Sequence, residues 1–494
     1  MLRSTQILSG YVYLIAMKDL REFIEKIEDM GELKRIDGAN WDLEIGAITE
    51  ILSERQGPAL LFDKISGYKQ GYRVLSNAFN SYSRTALSVN LPNNLKPLEQ
   101  LSAWRNRYKK FVPVKPRFVN EGSVLENVIQ GDTINILKFP APRWHNLDGG
   151  RYIGTGDAVI TRDPENDVVN LGVYRVQIQD SKTLSLMIAP SKHGRNMIEK
   201  YHSKGKDAPV AITFGMDPVT WSCAAFPAPA GVSEYDLAGY VRGESVDVIN
   251  GPLTGLPIPS TAEIAIEGFV PPISVESCSE GPFGEWTGYY AASFTKSVYK
   301  VKIGAIYHRH EPIILGLPPL KPPRPMHWVV PFEAAQIWDE IEGAGHSEVT
   351  GVWQPINLWG PLILIVAIKQ RFVGQAKQIA LAAAGSRKGS WGGRFIIIVD
   401  DDIDITNNEE VLWALATRTD ANFIDVVRGV NTSILDPMTL DIASGSQRLS
   451  TGVSTAKVLI DACKPIAKGA EFPKENKFQE NYLEEIRKKW NLKH

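Results

Sequence analysis

A run of five prolines at residues 318–325 divides this sequence into two differently patterned parts. Proline has no backbone N–H and fixes its own φ angle, so the run cannot lie inside a helix or a central strand. Before it, short segments rich in β-branched residues alternate with loops. After it, continuous apolar segments alternate with helical patterns. The chain is therefore expected to contain at least two domains that are built differently.

The part before the prolines begins with a small α/β unit. From Asp19 to Gly31 apolar residues recur every three or four positions, which predicts a helix with Asp19 as its N-cap. Two more helices, at 45–55 and 101–111, and a strand at 59–62 are predicted before a proline-containing linker. We place this N-terminal α/β domain at residues 17–115. Residues 1–16 are interpreted as an upstream extension, because Met17-Lys18-Asp19-Leu20 is typical of a natural start.

Residues 116–317 are predicted to form a second domain made mainly of strands. The predicted strands are 158–161, 169–178, 183–189, 211–214, 263–270 and 299–307. Short strands at this spacing, separated by Gly, Pro and Asp, favour an antiparallel barrel or split sheet over a dinucleotide-binding fold.

Residues 318–330 are interpreted as a proline-rich linker, and 331–475 as a C-terminal α/β domain. Its predicted elements are strands at 362–368, 395–399 and 423–427 and helices at 375–384 and 409–418. Apolar runs of this kind indicate parallel strands covered by helices on both faces. In 476–494, the amphipathic stretch 482–490 predicts a helix that either contacts a neighbouring subunit or lies free on the surface.

The overall charge excludes several classes of partner. With 54 Lys and Arg against 56 Asp and Glu, the chain has no cationic excess for binding nucleic acid or an anionic membrane. The apolar run at 7–17 is shorter than the ~20 residues that a spanning helix needs. Three scattered cysteines form neither a disulfide framework nor a zinc motif, which favours a reduced, cytoplasmic protein.

Common nucleotide-binding motifs are weak. Gly154-Thr155-Gly156 lacks the third glycine of a dinucleotide fingerprint and does not open a helix. Residues 385–389 lack the P-loop spacing and are interpreted as a mobile surface loop. The acidic run 400–404 would either cap a loop or bind a metal ion.

Two carboxylates and one arginine form a stronger candidate for catalysis. Glu280 and Glu285 lie in a stretch with two glycines and a proline, where a tight turn lets acidic residues five positions apart converge. Two coupled carboxyl groups can divide one proton, as acid–base chemistry requires. Arg175 lies in a mostly apolar strand, where it either clamps an anionic substrate or lies on the solvent face.

Asn170, His193 and Glu234 are candidate metal ligands. Together they offer oxygen and nitrogen donors of the kind that suits Mn²⁺ or Mg²⁺ and suits structural zinc poorly. Two of them also have a plainer interpretation: His193 as a surface or packed histidine, and Glu234 as an acid at a helix N-terminus behind Ser233. The spacing alone does not bring the three together.

Taken in order, the segments Asn170 to Arg175, Ser191 to His193, 231–234 and 280–285 resemble the UbiD-type decarboxylases that use prenylated FMN. The resemblance extends to 399–404 and 413–418, so it covers nearly the whole chain. It implies a split β-barrel that holds the flavin and a C-terminal α/β domain packed over it. It also implies subunits that pair through the C-terminal region, as a homodimer or a larger assembly such as a hexamer.

The resemblance further implies how the cofactor is held. Asn170, His193 and Glu234 would bind a divalent metal, usually Mn²⁺, that bridges to the cofactor phosphate, with K⁺ beside it. Other implied cofactor contacts are Thr155, Val173, Lys192, Ala224, Ala225, Phe226, Pro227 and Arg394. The stretch 224–227 departs from the serine-containing version of some members, which leaves backbone contacts there. A flavin prenyltransferase would supply the cofactor.

By the same resemblance, Glu280, Arg175 and Glu285 would be the catalytic groups of a reversible, non-oxidative decarboxylase. Arg175 would hold the substrate carboxylate, Glu280 would orient Arg175, and Glu285 would protonate the carbon that loses CO₂, with the flavin as covalent electron sink. The implied pocket residues are Trp286, His327, Trp328 and Val330. Their aromatic and apolar character favours an aromatic, heteroaromatic or α,β-unsaturated acid. His327 would either bind a polar ring substituent or only pack.

Two other functions are compatible with the same scaffold. One is a redox flavoprotein that uses ordinary FMN, which the absence of a dinucleotide motif disfavours. The other is a non-catalytic flavin-binding subunit of a carboxylase complex, which the intact set of Glu280, Arg175 and Glu285 disfavours.

Overall fold

The computed structural model describes residues 6–8, 11–13, 17–190, 192–226, 228–229, 231–290, 295–321, 330–355, 362–433, 435–439 and 453–492. Within these ranges, no helix combines the length and the apolar character needed to cross a membrane. The fold is a mixed α+β and α/β arrangement of several domains, as predicted.

Among the described residues, the N-terminal part contains four α-helices, a two-stranded sheet and a second small sheet. Its elements are β1 (Gln6–Leu8), β2 (Tyr11–Tyr13), α1 (Leu20–Asp29), β3 (Leu33–Asp37), α2 (Glu44–Leu52), β4 (Ala59–Asp63), β5 (Arg73–Ser76), α3 (Tyr82–Leu87) and α4 (Pro97–Tyr108). The helix predicted after Asp19 is confirmed, since the Asp19 carboxylate accepts hydrogen bonds from the N–H groups of Arg21 and Glu22. A later strand, β19 (Ile313–Gly316), pairs in parallel with β5 and completes the sheet of β3, β4 and β5.

The middle of the chain forms the predicted antiparallel split barrel. Its strands are β6 (Arg117–Phe118), β7 (Asn127–Gln130), β8 (Tyr152–Gly154), β9 (Asp157–Arg162), β10 (Val169–Gly172), β11 (Arg175–Ile178), β12 (Thr183–Met187), β13 (Ala208–Phe214), β14 (Asp247–Asn250), β15 (Pro257–Pro259), β16 (Ile264–Val270), β17 (Ser277–Glu280) and β18 (Thr295–His308). Three helices pack around it: α5 (His193–Ser203), α6 (Pro218–Ala225) and α7 (Glu234–Arg242). The main sheet runs β10-β9-β13-β16-β18-β12-β11-β8, with β7 and β17 also paired to β18, and β6, β14 and β15 form a separate sheet.

The barrel is split where one strand was predicted. The prediction of a continuous strand at 169–178 is wrong, because β10 ends at Gly172 and β11 begins at Arg175. These two strands lie near opposite ends of the sheet order. A chain link from residue 172 to residue 175 spans at most about 11 Å, so the sheet must curl until its two margins almost meet. Asn170 and Arg175 therefore lie on the two sides of this gap.

The C-terminal domain is a five-stranded sheet with helices. Its elements are α8 (Val330–Gly343), β20 (Val349–Trp353), β21 (Ile363–Ile368), α9 (Gln375–Gly385), α10 (Arg387–Trp391), β22 (Phe395–Asp400), α11 (Asn408–Arg418), β23 (Ile424–Thr432), β24 (Val453–Asp461) and α12 (Glu480–Trp490). The order is β20-β21-β22-β24-β23. The strands β21, β22 and β24 are parallel, and β20 and β23 are antiparallel edges.

Two sequence predictions for this domain are wrong. The third predicted parallel strand, β23, is an antiparallel edge strand with Ile424 and Val426 exposed, and the parallel position belongs to β24. Residues 385–389 do not form a mobile surface loop. They end α9 and begin α10, where the Ser386 hydroxyl accepts a hydrogen bond from the Gly389 N–H and acts as a helix N-cap.

An ionic and aromatic contact joins the C-terminal domain to the N-terminal unit. Arg105 of α4 is nearly buried, and its Nε donates to a carboxylate oxygen of Asp339 at 2.6 Å. The same guanidinium pairs with Glu342 and lies 4.4 Å from the centre of the Trp338 ring. All three partners belong to α8, so this contact fixes the first helix of the C-terminal domain against α4.

Candidate active site

The structure brings together the three residues predicted to be catalytic. Arg175 begins β11, Glu280 ends β17, and Glu285 follows in the loop. The guanidinium Nη2 of Arg175 donates to Glu280 Oε2 at 2.8 Å, and its Nε lies 2.6 Å from Oε1. The Nη1 of Arg175 donates to Glu285 Oε1 at 2.5 Å. One arginine therefore bridges two carboxyl groups.

These three side chains are largely buried, and burial shifts the pKa values of Glu285 and Arg175. The side chains of Arg175, Glu280 and Glu285 are 13%, 0% and 10% exposed. Burial raises the pKa of Glu285; Arg175 opposes this shift, and the charge of Glu280 adds to it. Burial lowers the pKa of Arg175, but Glu285 and Glu280 outweigh it, and the net shift is upward. One guanidinium compensates the charge of only one buried carboxylate, so burial and the charge of Glu280 together favour a proton on Glu285.

The loop that carries Glu285 is closed by its own backbone. The Glu285 N–H donates to the carbonyl of Tyr289 at 2.9 Å, and the Gly288 N–H donates to the carbonyl of Glu285 at 2.8 Å. Gly281 has φ of 99°, a conformation that L-residues with a side chain rarely adopt. The predicted convergence of Glu280 and Glu285 thus depends on a tight turn between them.

The three candidate metal ligands come from adjacent elements. Asn170 lies in β10, while His193 and Glu234 are the first residues of α5 and α7. The Leu171 N–H donates to Glu234 Oε2 at 2.8 Å, which places that carboxylate beside β10. The Tyr174 hydroxyl accepts a hydrogen bond from the Gly194 N–H at 3.3 Å and lies 3.5 Å from the Asn170 amide nitrogen. The fold therefore directs Asn170, Glu234 and the start of α5 to one region.

The chemistry of this region fits a divalent cation. Glu234 is 3% exposed, and burial raises its pKa to about 7, although backbone N–H donors lower it. A cation beside the carboxylate would compensate the cost of burying its charge. In the ranges that the structure covers, no three His, Cys, Asp or Glu side chains gather into a metal-binding group. The predicted set contains only two of these residue types, since its third member is the amide of Asn170.

The predicted cofactor residues of the barrel domain include Thr155, Val173 and the stretch 224–227. Thr155 follows β8, and its hydroxyl accepts a hydrogen bond from the Leu317 N–H at 2.9 Å. Val173 is a half-buried residue of the link across the gap. Ala224 and Ala225 end α6 and Phe226 is its C-cap, whereas Pro227 lies outside the described residues.

Arg394 is held within the C-terminal domain. Its guanidinium forms an ion pair with the fully buried carboxylate of Asp436. Arg394 thus already has an anionic partner in this structure.

A second buried cation of this domain is Lys457. Its ammonium donates to the carbonyls of Gly389 and Gly392, and burial lowers its pKa to about 8.

A cationic group lies between the barrel and the C-terminal domain. Lys192 is the N-cap of α5 and is partly accessible to solvent. Desolvation by the surrounding protein and the charge of Lys388 lower its pKa. Lys388 lies on α10 and pairs with Glu333 at 2.8 Å. Lys388 was not predicted, because residues 385–389 were interpreted as a surface loop. The signal available was a basic pair in a Gly-Ser-Arg-Lys-Gly segment.

One aromatic contact is visible among the predicted pocket residues. Trp286 is half-buried, and its ring centre lies 5.4 Å from that of Trp391 in α10. Val330 begins α8, but its side chain, like His327 and Trp328, lies outside the described residues. Trp391 is a second residue that the sequence analysis missed.

A separate cavity of about 380 Å³ lies beside the candidate metal region. Lys115, Phe118 and Arg162 line it, together with Val169 and Ser233. The last two immediately precede Asn170 and Glu234. The cavity is not lined by Arg175, Glu280 or Glu285.

Comparison with known proteins assigns the chain to a family. Residues 24–103, 117–322 and 328–462 match the family models UbiD_N, UbiD and UbiD_C, described as the N-terminal, Rift-related and C-terminal domains of 3-octaprenyl-4-hydroxybenzoate carboxy-lyase. A phenolic acid decarboxylase of Streptomyces sp. (strain D7) is 32% identical over 463 residues, covering 92% of this chain and 93% of its own.

Two further relatives agree. The pyrrole-2-carboxylic acid decarboxylase of Pseudomonas aeruginosa is 32% identical over 416 residues, covering 81% of this chain and 83% of its own. The structure of the UbiD-class enzyme HmfF from Pelotomaculum thermopropionicum, in complex with FMN, is 25% identical. It superposes with a TM-score of 0.82 over 96% of this chain and all of its own. Since its three parts match all three domain models, this chain belongs to the UbiD family of carboxy-lyases.

Proposed function

We propose that this protein is a non-oxidative decarboxylase of aromatic or heteroaromatic carboxylic acids that uses prenylated FMN. The observation that carries the proposal is the buried Arg175 held between Glu280 and Glu285. This arrangement offers a cation for a substrate carboxylate and a proton on an adjacent acid. The decarboxylases named among its relatives and the FMN-bound HmfF structure support the same reading.

The cofactor would be held by groups on both sides of the barrel gap. Asn170, His193 and Glu234 would bind Mn²⁺ at the cofactor phosphate, with K⁺ beside them, and Lys192 and Lys388 would add positive charge. When bound, the prenylated flavin supplies an electron sink for the electron pair that departing CO₂ leaves on carbon. A phosphate dianion in a partly dry site needs such cations, because the chain has no P-loop to supply backbone donors.

The side chains of this protein would handle the carboxylate and the proton. A guanidinium has five N–H donors, and the contacts to Glu280 and Glu285 leave donors of Arg175 for the substrate carboxylate. Glu280 orients Arg175. As the C–C bond to the carboxylate breaks and CO₂ leaves, Glu285 gives its proton to the same carbon and later regains one from solvent. The reaction changes no net oxidation state and is reversible at high CO₂, when Glu285 takes the proton back.

An aromatic substrate is favoured by the surroundings of Glu285. Trp286 follows it directly and packs against Trp391, so an aromatic pair adjoins Glu285 along the chain. The relatives act, by their names, on phenolic acids and on pyrrole-2-carboxylic acid. We therefore propose an aryl or heteroaryl acid rather than a small aliphatic one.

We also propose that the protein assembles into a homodimer or a larger homo-oligomer through its C-terminal helix. No residue of α12 is buried in the single chain, although the helix is amphipathic. Phe478, Tyr482 and Trp490 are 67%, 48% and 66% exposed. Aromatic side chains grouped in this way are typical of subunit interfaces.

The test is to produce the full chain together with a flavin prenyltransferase and to identify the bound cofactor by mass and absorption spectrum. The purified protein is then assayed for CO₂ release from hydroxybenzoic, hydroxycinnamic and pyrrole carboxylic acids, with aliphatic acids as controls. We expect release from at least one aromatic acid, and only from protein that carries the prenylated cofactor. Release from protein loaded with unmodified FMN, or no release with any aromatic acid, would refute the proposal.

A further inference from the structure

The loop that carries the two acids, here called the carboxylate loop (residues 280–290), rests on one short segment. This support segment, residues 148–152, precedes and begins β8. The Gly149 N–H donates to the carbonyl of Pro282 at 2.7 Å. A side chain at Gly149 would place its Cβ 1.8 Å from the carbonyl oxygen of Gly281. The two backbones therefore lie in direct contact.

Asp148 holds the second half of the carboxylate loop. Its side chain is fully buried and accepts hydrogen bonds from the Gly284 N–H and from the Tyr290 hydroxyl, the latter at 3.1 Å. Gly284 directly precedes Glu285. Asp148 thus fixes the backbone on which Glu285 is mounted.

Tyr152 holds the first half. Its hydroxyl donates to Glu280 Oε1 at 3.0 Å, and its ring centre lies 4.0 Å from that of Phe283. Glu280 Oε2 accepts from Arg175, so both oxygens of Glu280 receive a donor. For Glu285, the described side-chain contact is the single donor Nη1 of Arg175. The two acids are therefore supported unequally.

This inequality decides which acid keeps a proton. Hydrogen-bond donors stabilise an ionised carboxylate, and a buried carboxyl with fewer donors is the better place for a proton. Among the described residues, the charged and titratable groups that act on the pair are Arg175 on β11, Tyr152 on β8 and Cys278 on β17, and Asp148 acts on Tyr152. Among them, Tyr152 is the group that contacts Glu280 and makes no described contact with Glu285.

We infer that Tyr152 is a positioning residue: the hydrogen bond from its hydroxyl to Glu280 leaves the proton of the site on Glu285. The inference rests on the proposed function, because it takes Glu285 as the proton donor. Losing one hydrogen bond to a carboxylate changes the partition of the proton by roughly tenfold or more.

The change Tyr152→Phe removes the hydroxyl and retains the ring that packs on Phe283. The proton is then shared between Glu280 and Glu285, so kcat at its plateau falls severalfold while KM changes little. Because a second site now retains the proton, the pair loses it at higher pH, and the alkaline limb of the kcat profile moves upward. At high pH the rates of the variant and the wild type converge. A general structural defect would instead lower kcat by the same factor at every pH.

A matched control is available in the same barrel. The hydroxyl of the buried Tyr307 donates to the buried carboxylate of Glu267 at 2.8 Å, and neither residue belongs to the carboxylate loop or the support segment. Tyr307→Phe therefore removes the same kind of bond elsewhere. At equal flavin content it should leave the shape and the midpoint of the kcat profile unchanged. An unchanged midpoint in Tyr152→Phe, or the same shift in both variants, would overturn the inference.

An infrared titration of the full chain tests the same point without turnover. The absorption of the protonated carboxyl is assigned to Glu285 by its loss in Glu285→Gln and is then followed against pH. The midpoint should rise in Tyr152→Phe and stay in place in Tyr307→Phe. If the wild type releases no CO₂ from any acid, the proposed function fails, and this titration still decides whether Tyr152 controls the proton. A midpoint that does not move in Tyr152→Phe contradicts the inference.

Discussion

At the scale of single residues, the site consists of one permanently charged arginine and two glutamates that both contact it. Arginine stays protonated at any physiological pH, so the positive charge of Arg175 is constant. The raised pKa of Glu285, caused by burial and by Glu280 against the opposing effect of Arg175, keeps a proton available nearer to neutral pH than an exposed glutamate would. A general acid needs its proton in this range.

This predicts the sign of the pH dependence. Because Glu285 must be protonated to donate, kcat should be highest below its raised pKa and should fall as pH rises through that value. The measurement is kcat for CO₂ release across pH at saturating substrate. A rate that increases with pH over the same range would mean that the essential group acts as a base.

A second residue-scale prediction concerns the proposed metal ligands. His193→Ala should lower the bound Mn²⁺ and the bound flavin together, because the metal is proposed to bridge to the cofactor phosphate. His202→Ala is the control on the same helix. His202 lies at the far end of α5 from His193, and its Nε2 is 2.9 Å from the carbonyl oxygen of Val270. Elemental analysis and flavin absorbance give both contents. Unchanged Mn²⁺ in His193→Ala would contradict the assignment.

At the scale of elements, periodicity predicts whether a segment is a helix or a strand better than it predicts which strands pair with each other. The alternation at 169–178 correctly indicates strand, but both halves have the same pattern, so the break at Val173 and Tyr174 is not visible in it. Only pairing shows that the two halves lie at opposite margins of the sheet. In the same way, α10 was missed because glycine and serine disfavour a helix locally, while packing and the Ser386 cap stabilise it.

An element-scale prediction follows from the contact between the support segment and the carboxylate loop. In Gly149→Ala the new Cβ would meet backbone that cannot rotate away, so we expect a loss of about 1–3 kcal/mol of stability and a displaced Glu285. Gly343→Ala is the control, since nothing lies within 4 Å of its Cβ position. Thermal unfolding and CO₂ release report the two effects. Wild-type values for both in Gly149→Ala would refute this packing.

At the scale of the whole molecule, the sequence predicts an N-terminal α/β unit, an antiparallel barrel and a C-terminal α/β domain, but not how the three are placed relative to one another. The antiparallel middle and the α/β C-terminal part could be predicted because strand alternation and fully apolar strands are local patterns. The approach of Lys388 to Lys192 could not be predicted. It depends on how α8 packs on α4 through Arg105, and on the short helix α10, which was not among the predicted elements. Arg175, Glu280 and Glu285 were candidates from their sequence context, their roles were assigned by resemblance, and their distances required the fold.

The proposed oligomer is tested at this scale. Replacing the exposed Tyr482 and Trp490 by lysine should reduce the mass measured by light scattering, because charges would replace apolar contacts between subunits. Val275→Lys is the control, a substitution at a barrel residue that is 70% exposed. A wild-type protein that is monomeric across the concentration range, or a double variant with unchanged mass, would contradict the proposal.

The most direct test of the central claim is the rate of CO₂ release by Glu285→Gln, measured at equal content of prenylated flavin. Glutamine keeps the size of the side chain and an acceptor for Arg175 but has no acidic proton, so release should fall by about 10²–10⁴-fold. Glu267→Gln alters another buried glutamate of the barrel and should retain most of the activity. Wild-type turnover in Glu285→Gln would contradict the account of Glu285 as the proton donor.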